Sequence, residues 1–162
     1  MAKIERKYMA HFINTAKGEA EATYVRLGKD LEEYAPEMSA EVETKKNILG
    51  ETAVSITGYE KSASVEPYYA EKGDPLFTRL QEIIDNASTL DDCNADVVEV
   101  KLWEDAVEGG YPAIREKAVI EVTSYGGDNT GYQIPFTLHY TGEKVHGTFN
   151  VATKTFTANG AN

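Results

Sequence analysis

Ile134-Pro135-Phe136-Thr137-Leu138-His139-Tyr140-Thr141-Gly142-Glu143-Lys144-Val145-His146-Gly147-Thr148-Phe149-Asn150-Val151 is the stretch that decides the class of this chain. Ile134, Phe136, Leu138 and Tyr140 alternate with Pro135, Thr137, His139 and Thr141. A period of two belongs to a β-strand with one buried face. Beyond Gly142 the apolar positions shift to odd numbers: Val145, Gly147, Phe149 and Val151, against His146, Thr148 and Asn150. A two-residue turn at Gly142-Glu143 accounts for the shift. It sets Tyr140 opposite Val145, Leu138 opposite Gly147 and Phe136 opposite Phe149, with every apolar residue on one face. The same register brings Thr137 to Thr148 and His139 to His146.

Working outward, Lys154-Thr155-Phe156-Thr157 reads as a short last strand, followed by a C-terminal tail over 157–162. Upstream, Val98, Val100 and Leu102 alternate with Glu99, Lys101 and Trp103. Ala118, Ile120 and Val122 alternate with Lys117, Val119 and Glu121. Gly109-Gly110-Tyr111-Pro112 separates these two strands, and Ser124 to Tyr132, with three glycines, is a flexible connection. One helix is expected over about 75–86, with Asp74 as N-cap and Pro75 at its first position. Its stripe is Leu76, Phe77, Leu80, Ile83 and Ile84, with Arg79, Gln81, Glu82 and Asp85 facing away. Residues 41–66 read as a long β-hairpin arm rich in β-branched residues, bent near Gly58, with Ile48-Leu49 near its tip. Tyr24 to Gly28 is a short strand, and the acidic stretch from Lys29 to Ala40, broken by Pro36, is a loop. Residues 1–22 are polar and read as an N-terminal arm that orders when something binds it. The fold class is mainly β (α+β), an antiparallel sandwich or barrel with one packed helix.

Length and charge narrow the function. A chain of 162 residues is the size of a single domain, here taken as 1–162. Sixteen basic side chains stand against 27 acidic ones, a formal net charge of −11. Residues 1–81 hold 11 basic and 14 acidic side chains, and residues 82–162 hold 5 and 13. Such a balance opposes nonspecific adhesion to nucleic-acid phosphates. A lone cysteine, Cys93, makes no internal disulfide and points to a reducing compartment. No run reaches the roughly 18 apolar residues of a membrane span, and Met1 to Lys7 lacks the apolar segment of a secretory signal, so none is expected.

Motifs for catalysis are missing. There is no phosphate-binding G-x-x-x-x-G-K-[ST], no G-x-S-x-G elbow and no H-E-x-x-H. His139 and His146, facing each other in the expected hairpin, lack the third and fourth ligands of a zinc site. Asp92-Cys93-Asn94-Ala95-Asp96 begins like a calcium loop, but Val97 and Trp103 stand where glycine and glutamate are needed. The glycines at 126, 127 and 131 precede no helix N-terminus that could hold an anion. We therefore expect no enzyme, no cofactor and no metal.

Several stretches together resemble the tail tube (major tail) proteins of tailed bacteriophages and prophages of Gram-positive bacteria. They are Ala22 to Tyr34 (ATYVRLGKDLEEY), Val42 to Glu51 (VETKKNILGE), Gly126 to Phe136 (GGDNTGYQIPF) and Gly147 to Phe156 (GTFNVATKTF). The likeness runs from about Ile4 to Phe156. It implies a tail-tube fold whose subunits close into hexameric rings and stack into a hollow conduit for DNA passage from capsid to host. It implies an often acidic lumen that DNA traverses without specific binding, and arms that reach neighbouring rings. The implied partners are other copies of the chain, then tail terminator, tape-measure and baseplate or tip proteins, with no membrane. The implied location is the virion tail, assembled in the cytoplasm of the host bacterium.

The residues expected to meet neighbouring subunits are Val42, Thr44, Ile48, Leu49, Val54, Ile56 and Tyr59 of the hairpin, with Tyr8 and Phe12 of the N-terminal arm. An exposed apolar hairpin is an aggregation hazard unless a partner covers it. Two alternatives stand beside this one. The chain is the inner tube of a phage-derived injection device or tailocin, or it is an acidic carbohydrate- or protein-binding β-sandwich. In the last case Tyr68, Tyr69, Tyr111, Tyr125 and Tyr132 would form an aromatic platform.

Overall fold

A computed structural model describes residues 1–160. In chain order its elements are β1 (Met9–Asn14), β2 (Tyr24–Arg26), β3 (Ala40–Lys46), β4 (Thr52–Tyr59), β5 (Ser62–Val65), helix α1 (Pro75–Asn86), β6 (Asn94–Lys101), β7 (Gly110–Val122), β8 (Gly126–Asp128), β9 (Gly131–Gln133), β10 (Phe136–Asn150) and β11 (Thr155–Ala158). Seven strands form one antiparallel sheet in the order β11-β10-β7-β6-β1-β2, with β5 also paired to β10. β3 with β4, and β8 with β9, are separate two-stranded ribbons. The chain is thus mainly β with one helix, as its alternation predicts.

The deciding stretch folds differently from the expected hairpin. Residues 136–150 form one strand, and both halves pair with β7: Phe136↔Val122 to Tyr140↔Ala118, then Lys144↔Glu116 to Asn150↔Gly110. Thr141 to Glu143 form a bulge between the halves. The shift in apolar positions records a change of face. By the pleat, Phe136, Leu138 and Tyr140 lie on one face, while Val145, Gly147 and Phe149 lie on the other. β7 makes the same switch between Ala113 and Ala118. His139 therefore lies beside Val119 and His146 beside Ile114, and the two imidazoles do not face each other. A hairpin and a single strand whose buried face changes leave the same trace in a linear sequence; β7 pairs along the whole length and makes the same change.

Each face carries its own core. On one, Leu76, Leu80 and Ile83 of α1 pack over Ile13, Val97, Ala118, Ile120 and Leu138. On the other, Ala10, Phe12, Tyr24, Val98, Val100, Ala113 and Phe149 cluster. β6 and β7 separate β1 from β10, a distance of about 14 Å in a flat sheet. The rings of Phe12 and Phe149 are nevertheless 4.5 Å apart, and Tyr24 of β2 meets Phe149 edge-on at 5.5 Å. The sheet curls into a half-barrel around this second core.

Three expectations change at this level. Residues 9–14, assigned to a loose arm, form a strand between β2 and β6. Ala10 to Asn14 are all buried because both faces of β1 are covered, which hides any alternation. Phe12, expected at a subunit interface, is 1% exposed and belongs to the chain's own core. The 41–66 hairpin is shorter, 40–59: Ser62 to Val65 pair with Phe136 to His139, and Ala63 and Val65 are buried. At the C-terminal end, Thr157 and Ala158 belong to β11, and the last two residues of the expected tail lie outside the described residues.

The helix matches its sequence signal. The Asp74 side chain accepts from the Leu76 amide at 3.0 Å, Pro75 occupies the first turn, and Ala87 closes the end in a left-handed conformation. Arg79 departs from expectation: it is 3% exposed rather than facing solvent. Its guanidinium donates to the carbonyls of Ala16 (3.1 Å), Asp92 (3.0 Å) and Asn94 (2.7 Å). It thus ties α1 to the chain after β1 and to the start of β6. Among the described residues no helix is long and apolar enough to cross a membrane.

Candidate functional site

The β3–β4 ribbon is the most conspicuous surface feature. Neither strand joins the main sheet, and of residues 40–59 all but Gly58 are exposed. Register sorts its side chains. Val42 opposes Ile56 and Thr44 opposes Val54 on one face; Glu43 opposes Ser55 and Lys45 opposes Ala53 on the other. Val42, Val54 and Ile56 remain 62%, 66% and 56% exposed. These β-branched pairs stabilise the ribbon itself. Yet an isolated two-stranded ribbon is marginal in water, and one with a bare aliphatic face more so.

The tip is stiffened. The Asn47 side-chain oxygen accepts from the amides of Leu49 (2.9 Å) and Glu51 (3.0 Å), and Gly50 adopts φ 80° to close the turn. This presents Ile48 and Leu49 to solvent. The structure therefore brings seven of the nine expected interface residues into one element: Val42, Thr44, Val54 and Ile56 on its apolar face, Ile48 and Leu49 at its tip, and Tyr59 at its root. Tyr8 is exposed but stands apart, in a short 3-10 turn before β1, and Phe12 is buried.

A second constellation lies inside the fold and was not read from the sequence. Lys61 Nζ donates to Glu99 and Glu116, each at 3.1 Å, and sits 4.4 Å from the centre of the Tyr140 ring. Burial lowers the Lys61 pKa, but the two carboxylates more than offset it and the net shift is upward. Glu116 also accepts from the Gly142 amide at 3.1 Å, which anchors the bulge of β10. The Tyr140 and Tyr34 hydroxyls are 2.9 Å apart. Burial pushes Tyr34 up to about 12 and also raises Tyr140. The Tyr34 ring stacks on His11 at 4.6 Å.

Arg6 donates to the Tyr34 carbonyl at 2.8 Å and reaches His11 Nε2 at 3.1 Å. A guanidinium has only donors, so Nε2 accepts and the ring proton sits on Nδ1. That Nδ1 is buried without a hydrogen-bond partner, 3.9 Å from Glu99. Burial, then the charges of Arg6, Lys61 and Arg26, lower the His11 pKa to about 4. The sequence held one signal for this cluster: Glu116 shares the phase of Ala118 and Ile120, the buried positions of β7. A carboxylate there requires a buried cation. The network clamps the bulge between β5, β6 and β7.

Other candidates disperse. Cys93 is buried, donates to the Ser88 carbonyl at 3.2 Å, and burial raises its thiol pKa, which makes it inert. Among the described residues no three His, Cys, Asp or Glu side chains gather to hold a metal. His139 pairs with Glu121 at 2.7 Å on the surface. Three of the five tyrosines stand on adjoining segments: the Tyr68 carbonyl accepts from the Ile134 amide, the Tyr132 carbonyl accepts from the Ala70 amide, and Tyr69 is bridged to Gln133. Tyr68 bonds Asp74 at 2.6 Å and packs edge-on against Phe136. Tyr132 bonds Gln81 at 2.6 Å and packs on Phe77, and Tyr111 packs against the half-barrel core.

No protein-family model and no curated protein matches this sequence.

Proposed function

We propose that this chain is a structural subunit that assembles with copies of itself into stacked rings forming a hollow tube, of the kind found in phage tails. The observation that carries this reading is the β3–β4 ribbon. It is held away from the body with an aliphatic face and an aliphatic tip exposed, a state that association relieves. The curled sheet suits the same role, because head-to-tail contacts between curved units close into rings by rotation and extend as filaments by stacking. The likeness of four sequence stretches to tail tube proteins points the same way. The acidic excess then keeps DNA phosphates from adhering as DNA passes, since a basic wall would retain them. The proposed setting is the virion tail, with tube-end and tape-measure proteins as further partners.

Electron microscopy of the purified protein across a concentration series tests this. Rings or tubes are expected, and they should be lost when residues 42–56 are replaced by a short turn while the body keeps its circular dichroism. A protein that stays monomeric at millimolar concentration refutes the reading.

A further inference from the structure

The hydrogen bonds at the root of the β3–β4 ribbon converge on two residues. The Ser62 amide and carbonyl exchange bonds with Glu37 at 3.0 and 2.7 Å, joining the chain that enters β3 to the chain that leaves β4. The Lys61 carbonyl accepts from the Tyr140 amide at 2.9 Å. Backbone bonds strung along one short line hold the root in place but leave the ribbon free to swing about that line. Among the described residues no side chain from 37 to 60 bonds the body: Asn47 and Thr57 bond within the ribbon, and Lys45 pairs with Glu43.

The Lys61 side chain supplies an anchor away from that line. In the sheet β5 is followed by β10, β7 and β6. The Lys61 ammonium passes over β10, 4.4 Å from the centre of the Tyr140 ring. It ends between Glu116 on β7 and Glu99 on β6, 3.1 Å from each. The Lys61 side chain is 15% exposed and that of Glu116 5%. Glu116 is itself held by the Gly142 amide of β10. An ammonium so placed cannot swing away without stranding two carboxylates inside the fold, which makes the grip stiff.

We propose that Lys61 is the positioning residue of the β3–β4 ribbon: its ammonium, gripped by Glu99 and Glu116, fixes the angle at which the ribbon leaves the body, and with it the direction from which the ribbon meets a second copy. The role in assembly rests on the reading of this chain as a self-associating subunit. The seven residues of β3 span about 23 Å, so a swing of about 10° at the root moves the tip by about 4 Å. A gap of about 1 Å already forfeits much of a van der Waals contact. Angular errors also accumulate from one head-to-tail contact to the next, so a closed ring demands a fixed angle.

Spin labels on Ser55→Cys in the ribbon and Asn86→Cys at the end of α1, both exposed sites, read this angle as a distance in the dilute single chain; Cys93 is buried. The labelled parent should give one narrow distance. Adding Lys61→Met, Glu99→Gln and Glu116→Gln removes the grip without leaving a buried charge. It should broaden the distance by about 4 Å or more, while α1 and β7 keep their hydrogen-exchange protection. The association midpoint should rise about tenfold, as the fraction of chains holding the right angle falls. Electron micrographs should show open or mixed assemblies in place of uniform rings. Lys61→Arg, whose fork can hold both carboxylates, should keep the narrow distance and the rings. If the neutral variant does not fold, Glu99→Gln alone decides the same distance. An unchanged distance overturns the proposal, and so does a broadened distance with unchanged assembly. A parent that forms no rings or tubes, but whose narrow distance broadens in the variant, keeps the lock at the root and overturns the tube reading.

Discussion

The exposed face of the β3–β4 ribbon yields the sharpest quantitative expectation. The perturbation is the triple substitution Val42→Thr, Val54→Thr and Ile56→Thr. Threonine keeps β-branching and strand propensity, so the ribbon retains its register. All three sites are more than half exposed and lie outside both cores, so the unfolding free energy of the single chain should change by less than about 0.5 kcal/mol each. In an assembly that covers this face, each site loses at least a methyl group, about 0.8 kcal/mol, and buries a hydroxyl at a cost of about 1 kcal/mol or more. The three sites are cross-strand neighbours, Val42 directly opposite Ile56, and will not add fully. A conservative total of about 3 kcal/mol corresponds to about a hundredfold rise in the concentration needed for assembly. Sedimentation velocity across a dilution series reads that midpoint. The control is Glu43→Gln with Ser55→Ala on the opposite face, expected to change it less than about threefold. If the triple variant assembles at the wild-type concentration, or if both faces respond alike, the apolar face is not what partners cover.

Three further outcomes follow from the interior. Arg79→Met leaves three carbonyls without their donor and should cost about 3 kcal/mol in urea unfolding, with Arg79→Lys recovering about a third; a lysine variant as stable as wild type would contradict the forked contact. His11 has a folded pKa of about 4 against 6.5 unfolded, so the unfolded chain binds its proton first as pH falls. This group's share of stability is full above about pH 7, shrinks through the window between the two values, and is about 2 kcal/mol lower at about pH 5; His11→Gln should flatten that part of the urea-derived stability profile, and an unchanged slope would refute the assignment. A Cβ on Gly147 would lie 2.2 Å from the Thr157 carbonyl oxygen and 2.7 Å from the Phe156 ring. Gly147→Ala should therefore cost on the order of 1–3 kcal/mol and expose β11 amides to hydrogen exchange while leaving α1 protected.

What sequence alone determined were the features whose causes are local. Period-two alternation made the class mainly β, and an Asp-Pro start with a single apolar stripe placed α1 to the residue, because capping and amphipathicity act within a few positions. The apolar residues of the β3–β4 ribbon were legible for the same reason: alternation marks which face they share, and seven of nine expected interface positions fall on that one element. What only the tertiary structure decided depended on residues distant in the chain. β1 was hidden because both of its faces are covered and it shows no alternation. β5 was misassigned to the hairpin because its partner, β10, lies about 70 residues on. Arg79 looked like a solvent-facing helix residue until three carbonyls from two other segments were brought around it. The stretch from Ile134 to Val151 shows the division most plainly. Its strand character and its change of phase were written in the residues, but whether that phase change is a turn back or one continuing strand whose buried face changes depended on β7, a strand long enough to pair with both halves. Alternation records which side of a strand is buried. It carries no information about what does the burying, because that contact closes only when the whole sheet curls.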